Sequence, residues 1–137
     1  MLAPFIFSFS FTAMAATIHL EEGDSIQTAM NDASPGDTII LAAGTYAEDL
    51  STETSGSEDA PITVKADEDA TVTITAVGEV LQIDHPHWHF DSIVFDGQFG
   101  ESDTIDINDD AHHTHLRNVV VQNSSRDCID MGAQSNV

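Results

Sequence analysis

VLQI at residues 80–83, TIDI at 104–107 and CIDM at 128–131 recur at a spacing of 24 residues, and HFDSIVFDG at 89–97 returns 26 residues later as HLRNVVVQN at 115–123. Two different strand-like segments alternate in a fixed order at nearly one period, which marks a repeat architecture. Segments this short, separated only by turns, describe a coil rather than a sandwich. Each turn of chain adds one strand to each of several parallel sheets, and successive turns stack about 4.8 Å apart. Leu81, Ile105 and Ile129 then stack inward, as do Ile83, Ile107 and Met131, and Phe95 above Val121 continues the same interior column. Gly97 and Asn123 fall at the turn after the second strand type, and both residue types tolerate left-handed backbone geometry. The two-residue difference between the periods is assigned to a longer turn around Asp109 to His112. An antiparallel barrel is the competing fold. It needs two-residue Asn-Gly or Asp-Gly hairpins between equivalent strands, and Asp96-Gly97 joins no such pair.

Upstream of the repeats, Thr17 to Leu20 reads as a short strand. Asp24-Ser25 supplies a helix N-cap, and Ile26, Ala29, Met30 and Ala33 recur at helical spacing until Ser34-Pro35-Gly36-Asp37 stops the helix. Thr38 to Leu41, Ile62 to Lys65 and Thr71 to Thr75 read as strands, with Glu48 to Ala60 as a hydrophilic loop. A stack of coils has an exposed end that must be covered, and the helix at 25–33 is the natural cap. At the other end, Ser135-Asn136-Val137 would begin the next strand of a further repeat. The expectation is therefore an all-β parallel β-helix with a short N-terminal capping helix, truncated at its C-terminus. A bare last coil of that kind favours self-association.

Residues 1–16, MLAPFIFSFSFTAMAA, carry an apolar stretch followed by Ala13-Met14-Ala15, the A-x-A pattern of a signal-peptide cleavage site, although no Lys or Arg precedes it. The competing reading is an N-terminal strand. The stretch is too short to span a membrane. The expected organisation is a leader over 1–16 and the β-helix domain over 17–137, with the protein secreted or held at the cell surface or in the periplasm. The chain holds 24 Asp and Glu against 3 Lys and Arg, a formal net charge of −21. Such a surface repels phosphate backbones and anionic membranes, so nucleic acid is excluded as a partner. It attracts hard dications or simply keeps an exported protein soluble. The single cysteine, Cys128, can form no intrachain disulfide and is placed in or near the coil wall.

The stretch SIQTAMNDASPGDTIILAAGTY (25–46) resembles the opening of right-handed parallel β-helix proteins of the pectate-lyase-like superfamily, among them the chondroitinase B-like and alginate-lyase polysaccharide lyases. SGSEDAPITVKADEDATVTI (55–74) is similar to the segment that follows in the same group. With the repeats, the resemblance covers residues 18–137. It implies a right-handed coil and, for the full-length protein, a monomeric lyase or hydrolase acting on an acidic polysaccharide. The opening pattern is shared by lyases, hydrolases, epimerases and surface proteins, so no reaction is assigned by it. Catalytic residues of such lyases lie several coils further along, and none is carried over to this chain.

Three constellations could carry chemistry. At the 24-residue period Glu79, Asp103 and Asp127 align, as do Gln82, Asp106 and Asp130. Asp106 and Asp130 point outward if their apolar neighbours point in, and two carboxylates about 4.8 Å apart repel unless a cation bridges them. Calcium suits these hard oxygen ligands, so Asp106, Asp130, Asp103 and Asp127 form the candidate metal site. The plain alternative is a solvated acidic ladder with no ion. Six of the seven histidines lie in two patches, 85–89 and 112–115, with His87 set over His113 and His89 over His115. They form a transition-metal or carbohydrate site beside Trp88, or merely the wet side of a strand whose Trp88 and Phe90 are buried. Lys65, Arg117 and Arg126 are the only basic side chains, and each reads as a surface counter-charge. Two functions follow: a carbohydrate-active enzyme whose catalytic coils lie outside this chain, or a non-catalytic surface, adhesion or glycan-binding β-helix.

Overall fold

The computed structural model describes residues 3–6 and 13–132. Much of the expected leader, and the Ser135 to Val137 segment read as the start of a further repeat, lie outside the described residues. The chain runs β1 (Thr17–Leu20), α1 (Ile26–Asp32), β2 (Thr38–Leu41), β3 (Gly44–Tyr46), β4 (Leu50–Ser51), β5 (Ile62–Ala66), β6 (Val72–Thr75), β7 (Leu81–Ile83), β8 (Trp88–Asp91), β9 (Val94–Asp96), β10 (Ile105–Ile107), β11 (His115–Arg117), β12 (Val120–Gln122) and β13 (Ile129–Met131). The strands form three parallel sheets. Sheet A holds β1, β2, β5, β8 and β11; sheet B holds β3, β6, β9 and β12; sheet C holds β4, β7, β10 and β13. The molecule is a parallel β-solenoid of about five coils with one short helix.

The register bears out the repeat reading. Leu81, Ile105 and Ile129 are ladder partners, as are Ile83, Ile107 and Met131, and Phe95 pairs with Val121. Alternation along each strand sends one set of side chains inward, where Trp88, Phe90, Phe95, Ile105 and Ile107 are fully buried. Trp88 and Phe90 stack at 6.0 Å, and the Trp88 indole N–H donates to the Thr54 carbonyl (2.7 Å), so the largest side chain of the core leaves no polar atom unpaired. Burial fades at the last described coil, where Ile129 and Met131 are 37% and 44% exposed.

Single left-handed residues make the corners. Ser92 (φ 61°) bends β8 into β9, and Asn118 (φ 52°) bends β11 into β12 one coil later. Asn123 is left-handed as expected (φ 56°), but Gly97 is not among the positive-φ residues. Glycine is required there for space instead, because a Cβ would come within 2.5 Å of Thr104 Oγ1. Cys128, expected in or near the wall, is exposed in the turn that precedes β13.

The helix occupies 26–32 with Ser25 as its N-cap, the Ser25 hydroxyl accepting from the Thr28 N–H (3.2 Å). Ile26 and Met30 are buried. Glu48 adds a cap that spacing could not reveal: its Oε2 accepts from the N–H groups of Ile26 (2.8 Å) and Gln27 (3.3 Å). Among the described residues the first strands of sheets B and C have no strand before them, and side chains take that place. Glu22 Oε1 accepts from the Thr45 N–H in β3 (2.8 Å). Gln27 accepts from the Ser51 N–H (2.8 Å) and donates to the Ser51 carbonyl (3.0 Å). This pairing explains why Leu50 and Ser51, inside a segment read as a loop, form strand β4 on the ladder of β7.

Phe5, Ile6 and Met14 are all about nine-tenths exposed and belong to no core. Among the described residues no helix is long and apolar enough to cross a membrane.

Gln27→Ala is expected to cost about 1–2 kcal/mol, because both backbone groups of Ser51 lose their partner. Urea unfolding measures the loss, and a variant as stable as the parent would show that water covers this edge equally well.

Candidate functional site

On the outer face of sheet C the register places like charge over like. Asp106 and Asp130 are ladder partners, with Gln82 completing the column above Asp106. Asp106 is half-buried while Asp130 is exposed. Burial first, then the Asp130, Asp103 and Asp84 carboxylates, push the Asp106 carboxyl upward from the ordinary aspartate value. Glu79 is raised in the same way, by burial and then by Asp106, Asp84, Asp103 and Asp49. The other expected pair behaves differently. Asp103 Oδ1 accepts from the Asp127 N–H (2.9 Å), and Asp103 Oδ2 lies 3.7 Å from the Arg126 guanidinium. Asp127 is exposed. The four acids thus fall into two pairs, one mutually repelling and one already partnered. Among the described residues no three carboxylates converge on one point. Calcium takes six to eight oxygens, so Asp106 and Asp130 suit a largely hydrated surface ion rather than an enclosing cage.

Aspartates elsewhere show what a satisfied carboxylate looks like. Asp96 accepts from the Gln98 N–H, Gln122 Nε2 and Asn123 Nδ2, each at 2.9 Å, and these bonds lower its pKa. Asp91 is lowered chiefly by Ser92 (2.8 Å) and Asn118 (3.1 Å).

Sheet A presents the opposite character. One outward column runs Thr17, Thr38, Thr63, His89 and His115; the next runs His19, Ile40, Lys65, Asp91 and Arg117. Two of the three basic residues and three histidines therefore share one face of a strongly acidic chain. His89 and His115 stack in parallel at 4.3 Å, and His87 and His113 at 4.9 Å, as their spacing predicts. Trp88 and Phe90 between them are buried. Burial and then the His115 ring lower the pKa of His89, and burial followed by His113 and His112 lowers that of His87. Arg117 sits 3.9 Å from Asp91 with its side chain well exposed, a surface counter-charge as read from the sequence. The role of His112 was not legible, because its approach to His87 and His113 depends on how the turn before β11 folds.

A parallel solenoid opened by a capping helix, with ladders on its outer faces, defines a class of repeat scaffold. Residues 20–129 match the chondroitinase B family, and the chain belongs to that family. Among solved structures it is similar to the alginate lyase from Paenibacillus sp. str. FPU-7, with a TM-score of 0.65, 24% identity, and coverage of 76% of this chain and 36% of that one. It is also similar to the PL6 family alginate lyase AlyGC, with a TM-score of 0.59, 25% identity, and coverage of 75% and 15%. The chain therefore spans about a third of the first enzyme and less than a sixth of the second. No curated protein sequence matches it.

Asp106→Asn should stabilise the protein at neutral pH by about 0.5–1 kcal/mol, since it removes one of two like charges directly opposed across a ladder. A carboxyl whose pKa is raised on folding weakens the fold while ionised, and that cost vanishes as pH falls through its folded pKa. The advantage of the variant should shrink on acidification through the carboxylate range. Thermal unfolding at a series of pH values tests this, and no gain at neutral pH would mean that the pair is already neutralised.

Proposed function

We propose that this chain serves an exported polysaccharide lyase that acts on an acidic polysaccharide, its coils forming the opening of the scaffold and one sugar-facing strip. The observation that carries the reading is the family match over residues 20–129, on a solenoid whose solved relatives include alginate lyases. Lyase chemistry on a uronate removes the proton next to the carboxylate, and it needs a base together with positive charge to hold the anion that develops. In the described coils Arg117 and Arg126 already face Asp91 and Asp103. Lys65 is the remaining Lys or Arg, and it lies on sheet A. His89, with its lowered pKa, favours the neutral ring, which hydrogen-bonds hydroxyls and offers a flat face to a sugar. The strip therefore fits positioning of a chain, and the reacting groups belong to further coils.

A calcium ion on Asp106 and Asp130 is part of this proposal. It would supply positive charge that offsets the repulsion of the pair, with water as most of its ligands. A second reading, a non-catalytic glycan-binding β-helix, is favoured by one observation: among the described residues, two of the three Lys and Arg side chains are spent on neighbouring carboxylates.

The test is ultraviolet absorbance of unsaturated ends when the protein in its longest natural form is incubated with alginate, pectate or chondroitin, with and without calcium. A rise in absorbance is expected, together with a calcium-dependent increase in unfolding temperature that disappears in Asp106→Asn. Binding to one of these polymers with no unsaturated product would replace the lyase by the glycan-binding reading.

A further inference from the structure

We propose that His87, His112 and His113 form a binding site for a transition-metal dication of the zinc, nickel or copper class, on the turn that leads from sheet C into sheet A. The three imidazoles each offer a ring nitrogen, and these atoms lie within 4.8 Å of one another. His87 and His113 stack at 4.9 Å with planes 16° apart, while His112 stands edge-on to both, at 5.4 Å from His87 and 4.9 Å from His113. Nδ1 of His112 and Nδ1 of His113 already face each other at 2.7 Å. Zinc–imidazole bonds of about 2.0–2.1 Å in a tetrahedral site set ligand nitrogens about 3.4 Å apart. Closure therefore asks for movements of about 1 Å from rings on an exposed turn, within the reach of side-chain rotation.

The backbone points the same way. His87 (φ 61°) and His113 (φ 58°) both adopt the left-handed conformation, which glycine or asparagine takes more cheaply. These are corners of the same kind as Ser92 and Asn118, and their equivalent places in successive coils fix where the two rings stand. Between ladder partners, the path from Ile107 to His115 is two residues longer than that from Ile83 to His89, and this longer turn carries both His112 and His113. The His87 N–H donates to the His112 carbonyl (3.1 Å), which ties the two turns together. Imidazole suits zinc, nickel and copper and is a poor ligand for calcium, so this site is chemically distinct from the carboxylates of sheet C. A net charge of −21 draws dications to the surface, and Glu58, from the loop before β5, acts electrostatically on His87.

The test is titration of the purified full chain with zinc chloride by calorimetry and with cobalt(II) by visible absorption, followed by the same titrations on His87→Asn, His112→Gln and His113→Asn. Asparagine keeps the left-handed backbone comfortable, and equal unfolding temperatures without metal would show that the variants fold. One equivalent of zinc is expected, unmoved by excess calcium, and each substitution should weaken it at least about ten-fold, since even outer partners of metal ligands cost that much. Asp106→Asn and His115→Gln should leave it unchanged. Absence of binding, undiminished binding in the three histidine variants, or loss of binding in Asp106→Asn or His115→Gln would each overturn the assignment.

A separate observation concerns Asp37. This carboxylate is only 7% exposed, and its Oδ1 accepts from the Ala16 N–H (2.7 Å) while Oδ2 accepts from the Ser34 N–H (2.9 Å). No Lys, Arg or His forms an ion pair with it among the described residues. Ala16 directly follows Ala13-Met14-Ala15, and its carbonyl accepts from the Thr38 N–H (2.9 Å). We infer, resting on the export reading, that the leader ends at Ala15 rather than Ala16 and that hydrolysis of the Ala15–Ala16 bond creates the partner of Asp37. Water adds across the amide, Ala15 leaves as a carboxylate, and the new ammonium of Ala16 keeps its place against Oδ1 as a charge-assisted bond. Expression of the whole precursor in an exporting host, with mass analysis of the product, tests it. A secreted chain beginning at Ala16, and destabilised by Asp37→Asn, is expected. Secretion with another first residue overturns this pairing alone, whereas a retained and uncut chain overturns it together with export.

Discussion

Each coil of this protein is held by the one before it through a parallel ladder in which equivalent residues fall on equivalent residues. A slip of one residue would turn every inward side chain outward, so the buried columns and the backbone hydrogen bonds enforce one another. Trp88, pairing with Ile62 above it, and Phe90, pairing with Val64, show the constraint at work: the strand is pinned by two fully buried aromatic rings. The same register that stacks apolar side chains inside must also stack whatever lies outside. Asp106 is set over Asp130, His87 over His113 and His89 over His115 because the interior requires it.

The two outer ladders resolve that constraint differently. Stacked imidazoles lose little when neutral, and their flat faces meet at 4.3 and 4.9 Å. Stacked carboxylates cannot relax in this way, and burial first, then the neighbouring carboxylates, push Asp106 and Glu79 toward the protonated form. Where amides and hydroxyls reach a carboxylate, as around Asp96 and Asp91, the same residue type is comfortably ionised. The solenoid thereby separates an acidic face on sheet C from a face on sheet A that carries Lys65, Arg117 and three histidines.

Parallel ladders also expose an edge at the first coil, and the solution is local. Gln27 and Glu22 act as stand-in strand segments for β4 and β3, while β1 extends sheet A by one strand. α1 closes the apolar interior with Ile26 and Met30. These devices are single side chains rather than an extra layer, which suits a scaffold whose stability accumulates coil by coil.

Periodicity determined the fold class, the inward columns, the pairing of the histidines and the pairing of Asp106 with Asp130, because strand alternation and a constant coil length translate sequence spacing directly into spatial contact. The helix was legible from Ser25 and the spacing of Ile26 and Met30. Contacts between side chains far apart in sequence were not. The Glu48 cap, the Gln27 bonds that make a strand of Leu50 and Ser51, the steric demand at Gly97, the exposure of Cys128 and the seat of Asp37 against Ala16 depend on which turns lie against which. The divided fate of the acids, with Asp103 partnered and Asp106 repelled, and the convergence of His112 on His87 and His113 belong to the same class. Turn conformation has no period, so only the tertiary structure decided these.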